Sequence, residues 1–188
     1  MYSDSEIIEG CLKHNPFFQE MLYKKYASKM FGLCLRYSPN SDVAHDILQE
    51  GYIKIFQSLP QFKQQAALGS WMYRIFMTTA INYVQRKLKT KLEVSMNENL
   101  ENQAEEISEN EKEHWLNYIN TNEALEMVQQ LPEKYRLIIN LYAIEKLNHD
   151  EIGAILNISA ATSRSQLSRA RKLLTEKLNT IMRQKIGK

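Results

Sequence analysis

Residues 161–172 read ATSRSQLSRARK, a run in which small side chains and arginines share one helix-length segment. At about 100° per residue, Ala161, Ser165, Ser168 and Lys172 point one way, with Thr162 and Arg169 beside them and Arg164 and Arg171 on the other flank. Small residues let a helix approach base edges closely, and an arginine can grip guanine with two hydrogen bonds or hold a phosphate. The spacing predicts a helix that reads duplex DNA. A second group lies at 71–87, where Trp71, Tyr73, Phe76 and Tyr83 interleave with Arg74, Arg86 and Lys87. Exposed rings there could stack on unpaired bases, a contact worth ~1–3 kcal/mol per base; Trp71 and Phe76 are expected in the core. A third group is Asp46, Gln49 and Glu50, which share the outer side of a helix whose inner side carries Val43, Ile47 and Phe56. An acidic, polar helix face suits a basic partner. For each group the plain alternative is an ordinary solvated or core-facing helix side.

Other chemistries find no support. His14, His45, His114 and His149 do not stand at metal-ligand spacings with Cys11 and Cys34. No Gly-rich phosphate loop, G-x-S-x-G elbow or H-E-x-x-H occurs, so no catalytic residue, metal or cofactor is expected and the chain is not read as an enzyme. The two cysteines lack a C-x-x-C partner and are expected to be buried or inert thiols of a reducing, cytoplasmic compartment. No basic-then-apolar leader opens the sequence, and no apolar run approaches the roughly 20 residues of a membrane span.

The elements that must position these groups are helices. With 188 residues, 44% hydrophobic, 6 Gly and 4 Pro, and no long alternating Val/Ile/Thr segments, the chain is expected to be all-α. Ser3 and Glu6 form a capping box that opens a first helix, and Asn15-Pro16 reads as N-cap and first-turn proline of a second. "SPNS" at 38–41 breaks that helix; a third runs from about Asp42 to Pro60, and after the loop "QFKQQAALG" a fourth runs from Ser70 to about Lys89. Residues 91–120 are rich in glutamate (Glu98, Glu101, Glu105, Glu106, Glu109, Glu111 and Glu113) and read as an acidic linker, with helical turns around Trp115. The net charge of +2 thus conceals two basic zones, 85–91 and 164–188, around an acidic one.

Beyond Thr121 the pattern becomes helical again. Asn148 and Glu151 form a capping box for a helix whose inner side is Ile152, Ile155 and Leu156. Gly153 inside it is costly by roughly 1 kcal/mol, and a close helix–helix crossing would account for it. Asn157 can end that helix in the left-handed conformation, and Ser159 can cap the next, which buries Leu167, Ala170, Leu174, Leu178 and Ile181. A helix, a short break and a basic helix make a helix-turn-helix.

These motifs carry a family resemblance. Asp46-Ile47-Leu48-Gln49-Glu50-Gly51 resembles the "D-L-I-Q-E-G" signature of region 2 in bacterial sigma factors, and "SWMYRIFMTTAINYVQRK" (70–87) resembles the same region's "W-L-Y-R-I-A" segment. Residues 148–174 resemble region 4, commonly "E-I-A-x-I-L-G-I-S-x-G-T-V-K-S-R" and onward. With only these regions and a short linker, the chain resembles an extracytoplasmic-function (ECF, group 4) sigma factor of the sigma-70 family. The resemblance implies two helical domains, region 2 at 3–90 and region 4 at 121–183, joined by the linker at 91–120.

It further implies partners and roles. Asp46, Gln49 and Glu50 would dock on the clamp helices of the largest subunit of core RNA polymerase, and the flap of the second-largest subunit is a second contact. Arg74, Thr78, Asn82, Tyr83, Arg86 and Lys87 would engage the −10 element of promoter DNA and help open it. Thr162, Arg164, Ser165, Ser168, Arg169, Arg171 and Lys172 would bind the −35 element, Arg171 and Lys172 through phosphates. The linker would thread the polymerase's positively charged channels, and an anti-sigma factor, often membrane-anchored, is implied as a further partner. This sequence departs from the pattern at His45 (often Asp or Glu), Thr78 (Asn), Asn82 (Asp), Ser163 (an inward-packing Val) and Gln166 (Arg). The alternative is a conventional helix-turn-helix regulator acting without core polymerase, which leaves "DILQEG" unexplained.

Overall fold

The structure, a computed structural model, describes residues 2–94 and 120–186. The acidic run Glu98–Glu113, His114 and Trp115 lie outside the described residues. Among the described residues every regular element is helical: α1 (Asp4–Leu12), α2 (Pro16–Tyr37), α3 (Ser41–Ser58), α4 (Leu68–Val94), α5 (Thr121–Gln129), α6 (Glu133–Ile139), α7 (His149–Leu156) and α8 (Ala160–Ile186). The all-α expectation holds. The chain divides into two compact units, Met1–Tyr83 and Val84–Lys188. No described helix is long and apolar enough to cross a membrane.

The first unit is assembled from capped helices. Ser3 accepts from the Glu6 amide at 3.3 Å while the Glu6 carboxylate accepts from the Ser3 amide at 2.8 Å, the reciprocal bonds of a capping box. The Asn15 side chain accepts from the Phe17 amide, and Asn40 accepts from the Val43 amide, each at 3.0 Å. Asp4 ties α1 to α2, accepting from Lys25 Nζ at 2.7 Å and the Tyr26 hydroxyl at 2.9 Å. Burial opposes ionisation of Asp4, yet the bonds from Lys25 and Tyr26 outweigh it and hold the carboxyl below its usual range. Burial, reinforced by the same carboxylate, pushes Tyr26 up to about 12.

Leu22, Met30, Leu33, Ile47, Ile55, Met72 and Phe76 form the centre of this unit. Val43 and Phe56, expected inside, are half-buried. Gly51 is buried against the Phe76 ring, where any side chain would collide, so the glycine makes room on α3 for this ring of α4. Trp71 differs from expectation: it is half-buried at the rim, its ring 4.7 Å from that of Phe62, which follows the 3₁₀ turn Leu59–Gln61. Cys11 and Cys34 are buried free thiols, and burial pushes Cys34 up to about 12, leaving little reactive thiolate.

The second unit packs α5, α6, α7 and α8 around Leu131, Leu137, Ile138, Leu141, Ile152, Leu167, Ala170 and Leu178. Residues 140–144 leave the α-helical register: the Glu145 amide reaches back to the Asn140 carbonyl at 3.0 Å, making a π turn after α6. Arg136 is 2% exposed and donates from Nη1 to the Gln129 carbonyl at 3.1 Å, placing a cation at the C-terminal end of α5. Burial pulls its pKa down, with Glu133 acting in the opposite sense.

Candidate nucleic-acid and polymerase interfaces

The helix-turn-helix forms as the local sequence rules require. The Asn148 side chain accepts from the Asp150 and Glu151 amides at 3.0 and 2.9 Å, and the Glu151 carboxylate accepts from the Asn148 amide at 2.7 Å. Asn157 closes α7 at φ 56, ψ 49, and Ser159 Oγ accepts from the Thr162 amide at 2.9 Å to open α8. Two expectations for α7 need correction. The close neighbour of Gly153 is the turn itself: an added Cβ would stand 2.7 Å from the Ile158 carbonyl oxygen, and the Ile158 amide donates back to the Gly153 carbonyl at 3.1 Å. This is the bonding of a Schellman-type helix end, so no helix–helix crossing is needed to explain the glycine. Ile155 is 38% exposed. The buried direction of α7 is set by Ile152 and Gly153, and at about 100° per residue Ile155 lies roughly 110° from its centre.

On α8 the expected reading residues stay clear of the core. Thr162, Arg164 and Lys172 are exposed, and Ser165, Ser168, Arg169 and Arg171 are half-buried, while Leu167, Ala170 and Leu178 are buried beneath them. Leu174 and Ile181 are half-buried. Thr162 shares a hydrogen bond with the capping Ser159 hydroxyl at 2.8 Å, so its own hydroxyl is already engaged. The guanidinium of Arg171 lies over the Tyr142 ring, 5.4 Å from its centroid. Ser163 is fully buried, confirming that this position packs inward, and its hydroxyl lies 2.9 Å from Nδ1 of His149. Tyr142, His149 and their link to Ser163 escaped sequence reasoning; the contacts cross the helix pair and leave no periodic signal.

On α4, Arg74, Thr78, Asn82 and Arg86 recur every fourth residue and are exposed, with Lys87 exposed next to them and Tyr83 half-buried. They form one basic and polar stripe. Thr78 Oγ1 donates to the Arg74 carbonyl at 2.9 Å, so this hydroxyl bonds its own helix. On α3, Asp46 and Gln49 are exposed, whereas Glu50 is half-buried and paired with Lys54 at 2.8 Å. Lys54 also donates to Thr79 Oγ1 at 3.3 Å, which ties Glu50 indirectly to α4. Beside this trio is a shallow, mostly apolar groove of about 370 Å³, lined in part by Tyr23, His45, Leu48, Gln49, Ile53 and Phe56. The sequence signal for it was Ile53, which follows Gln49 by one helical turn on the polar side and is 51% exposed.

Both helical regions match known protein families. A family model described as "Sigma-70 region 2" matches residues 22–90, and one described as "Sigma-70, region 4" matches residues 121–174. The chain is 30% identical over 191 residues to the ECF RNA polymerase sigma-E factor of Escherichia coli K12, covering 96% of this chain and 97% of that protein. It is 26% identical over 192 residues to the RNA polymerase sigma-H factor of Pseudomonas aeruginosa, covering 96% of each. Among solved structures it is similar to the sigma factor RpoE of Bartonella quintana, determined in complex with the anti-sigma factor NepR, at a TM-score of 0.48 and 19% identity over 86% of this chain and 96% of that one. With both sigma regions matched in order, and the 30% identical Escherichia coli relative aligned over 96% of this chain and 97% of its own length, the chain belongs to the sigma-70 family as an extracytoplasmic-function sigma factor, a transcription initiation factor.

Proposed function

We propose that this sigma factor joins core RNA polymerase and directs it to selected promoters, with region 2 at 3–90, an acidic linker at 91–120 and region 4 at 121–183. Region 2 docks on the clamp helices of the largest subunit through Asp46, Gln49 and Glu50. The α4 stripe of Arg74, Thr78, Asn82, Tyr83, Arg86 and Lys87 holds the −10 element and favours its open form. Region 4 binds the −35 element through Thr162, Arg164, Ser165, Ser168 and Arg169, with Arg171 and Lys172 on phosphates, and rests on the flap of the second-largest subunit. An anti-sigma factor holds the protein inactive until it is needed, and the setting is the cytoplasm. The observation that carries this reading is the pairing of a capped helix-turn-helix with an acidic α3 face and a basic α4 stripe in one chain.

Core binding is the step that separates this reading from that of a free-standing DNA regulator. Gln49 borders both the polar trio and the apolar groove, so its truncation removes contact from both. Titrating labelled protein with core polymerase should give a Kd raised about tenfold for Gln49→Ala, the equivalent of ~1.4 kcal/mol, with smaller increases for Asp46→Ala. Unchanged affinity in both variants and in Glu50→Ala would remove the α3 dock.

A further inference from the structure

The helix pair of region 4 is joined by a polar contact at a position where an apolar side chain would pack without direction. Ser163 lies one turn into α8, is 0% exposed, and meets Nδ1 of His149 at 2.9 Å. His149 is the first residue of α7 and is half-buried. Its ring stacks on Tyr142 of the π turn, with centroids 5.0 Å apart and planes at 21°. The same Tyr142 ring carries the Arg171 guanidinium. One imidazole therefore contacts the start of the reading helix directly and, through Tyr142, an arginine two turns further along it.

We infer that His149 is a positioning residue for promoter recognition: by bonding Ser163 and backing Tyr142, it sets the rotation of α8 on α7 and the placement of Arg171. The inference rests on the reading of α8 as the −35 helix. A buried hydroxyl needs a partner, and hydrogen bonds weaken steeply when bent, so the Ser163–His149 bond prefers one rotational setting of α8. A side chain about 6 Å from a helix axis moves roughly 1 Å when the helix turns by 10°. Such a shift degrades a bidentate arginine–guanine pair while leaving phosphate attraction nearly intact. Asp150 on its own helix and Arg164 and Arg171 on α8 face His149 electrostatically, and Tyr142 faces it from the π turn. Burial first, then the two arginines, favour the neutral ring and lower its pKa, whereas Asp150 acts in the opposite sense. The Ser163 hydroxyl donates to Nδ1 when that nitrogen is bare and accepts from it when it carries the proton, so the bond persists in either tautomer.

The test uses the full-length protein assembled with core RNA polymerase, and a linear duplex library randomised across the upstream window. Bound molecules are sequenced. The wild type is compared with His149→Phe, which keeps a flat ring on Tyr142, with Ser163→Ala, with the double variant, and with Ser163→Val. His149→Phe and Ser163→Ala should each reduce discrimination between the best sequence and its single-base neighbours by about threefold to tenfold. The double variant should be no worse than either single one, because both remove the same contact. Ser163→Val, which refills the site with apolar volume, should fold and still shift the ranking of sequences. A purely structural role would lower the amount of competent complex without altering ratios between sequences. Unchanged ratios in all three single variants, or losses that multiply in the double variant, would overturn the inference. If the wild-type complex enriches no upstream sequence, the −35 reading itself fails and the inference falls with it.

Discussion

Gly51→Ala would put a methyl group on α3 into the ring of Phe76 of α4. That ring has no exposure and cannot swing toward solvent, so the helices themselves must shift. Adding volume to a well-packed core costs about 1–3 kcal/mol. Replacing glycine by alanine inside a helix recovers about 1 kcal/mol. The difference leaves region 2 less stable by up to about 2 kcal/mol, with the methyl–ring contact as the source. Phe76→Leu removes the obstructing edge, so in that background Gly51→Ala should be neutral or stabilising. The double-mutant coupling should then be about 1–3 kcal/mol, the steric cost itself. Urea unfolding followed by tryptophan fluorescence measures this, with Trp115→Phe leaving Trp71 as the sole indole. Because α3 also carries the proposed polymerase dock, core affinity should fall with Gly51→Ala and recover in the double variant. Additive energies, or a Gly51→Ala protein more stable than its parent, would refute the steric account of this glycine.

Further predictions concern region 4. Asn148→Ala removes the acceptor for the Asp150 and Glu151 amides and should cost ~0.5–2 kcal/mol, read from the unfolding midpoint. His149 has a folded pKa below its ordinary 6.5, so the unfolded chain binds more protons between the two values. Region 4 should therefore be fully stable above about pH 6.5 and lose stability as pH falls through the folded value; a stability–pH profile for His149→Phe should lack that component. Arg171→Ala and Lys172→Ala should weaken promoter binding evenly across sequences and each reduce the salt-dependence slope by ~1, measured by titration at several salt concentrations. A changed base preference in either would reassign that residue from phosphate to base.

Local chemistry made much of this protein legible before its structure. Ser3 with Glu6, Asn15 with Pro16, Asn148 with Glu151, and Asn157 and Ser159 each mark helix ends through bonds within a few residues, and each bond is present. What failed to show was set by contacts between elements. Nothing in 85–94 breaks a helix, and α4 continues to Val94, past the expected Lys89. The π turn at 140–144 gives no compositional sign. Gly153 was intelligible as close packing, but that its neighbour is the following turn depends on how Ile158 folds back. Ser163 stood out as a polar residue where an apolar one should pack inward, whereas its partner is fourteen residues away on the preceding helix. For the proposed interfaces, the sequence put Asp46, Gln49 and Glu50 on the outer side of α3, whereas the α4 residues came with the family resemblance and their alignment in one stripe with the structure. The groove beside that trio needs Tyr23 from α2 as well as Ile53 and Phe56 from α3, so Ile53 on the polar side of α3 signals only one of its walls.

The central claim is tested most directly by transcription in vitro from genomic DNA with purified core polymerase, sequencing the 5′ ends of the RNA made with and without this protein. RNA should start at a small set of positions only when both are present, and those starts should be lost on combining Asp46→Ala and Gln49→Ala. No protein-dependent start on any template, or starts unaffected by that double substitution, would contradict it.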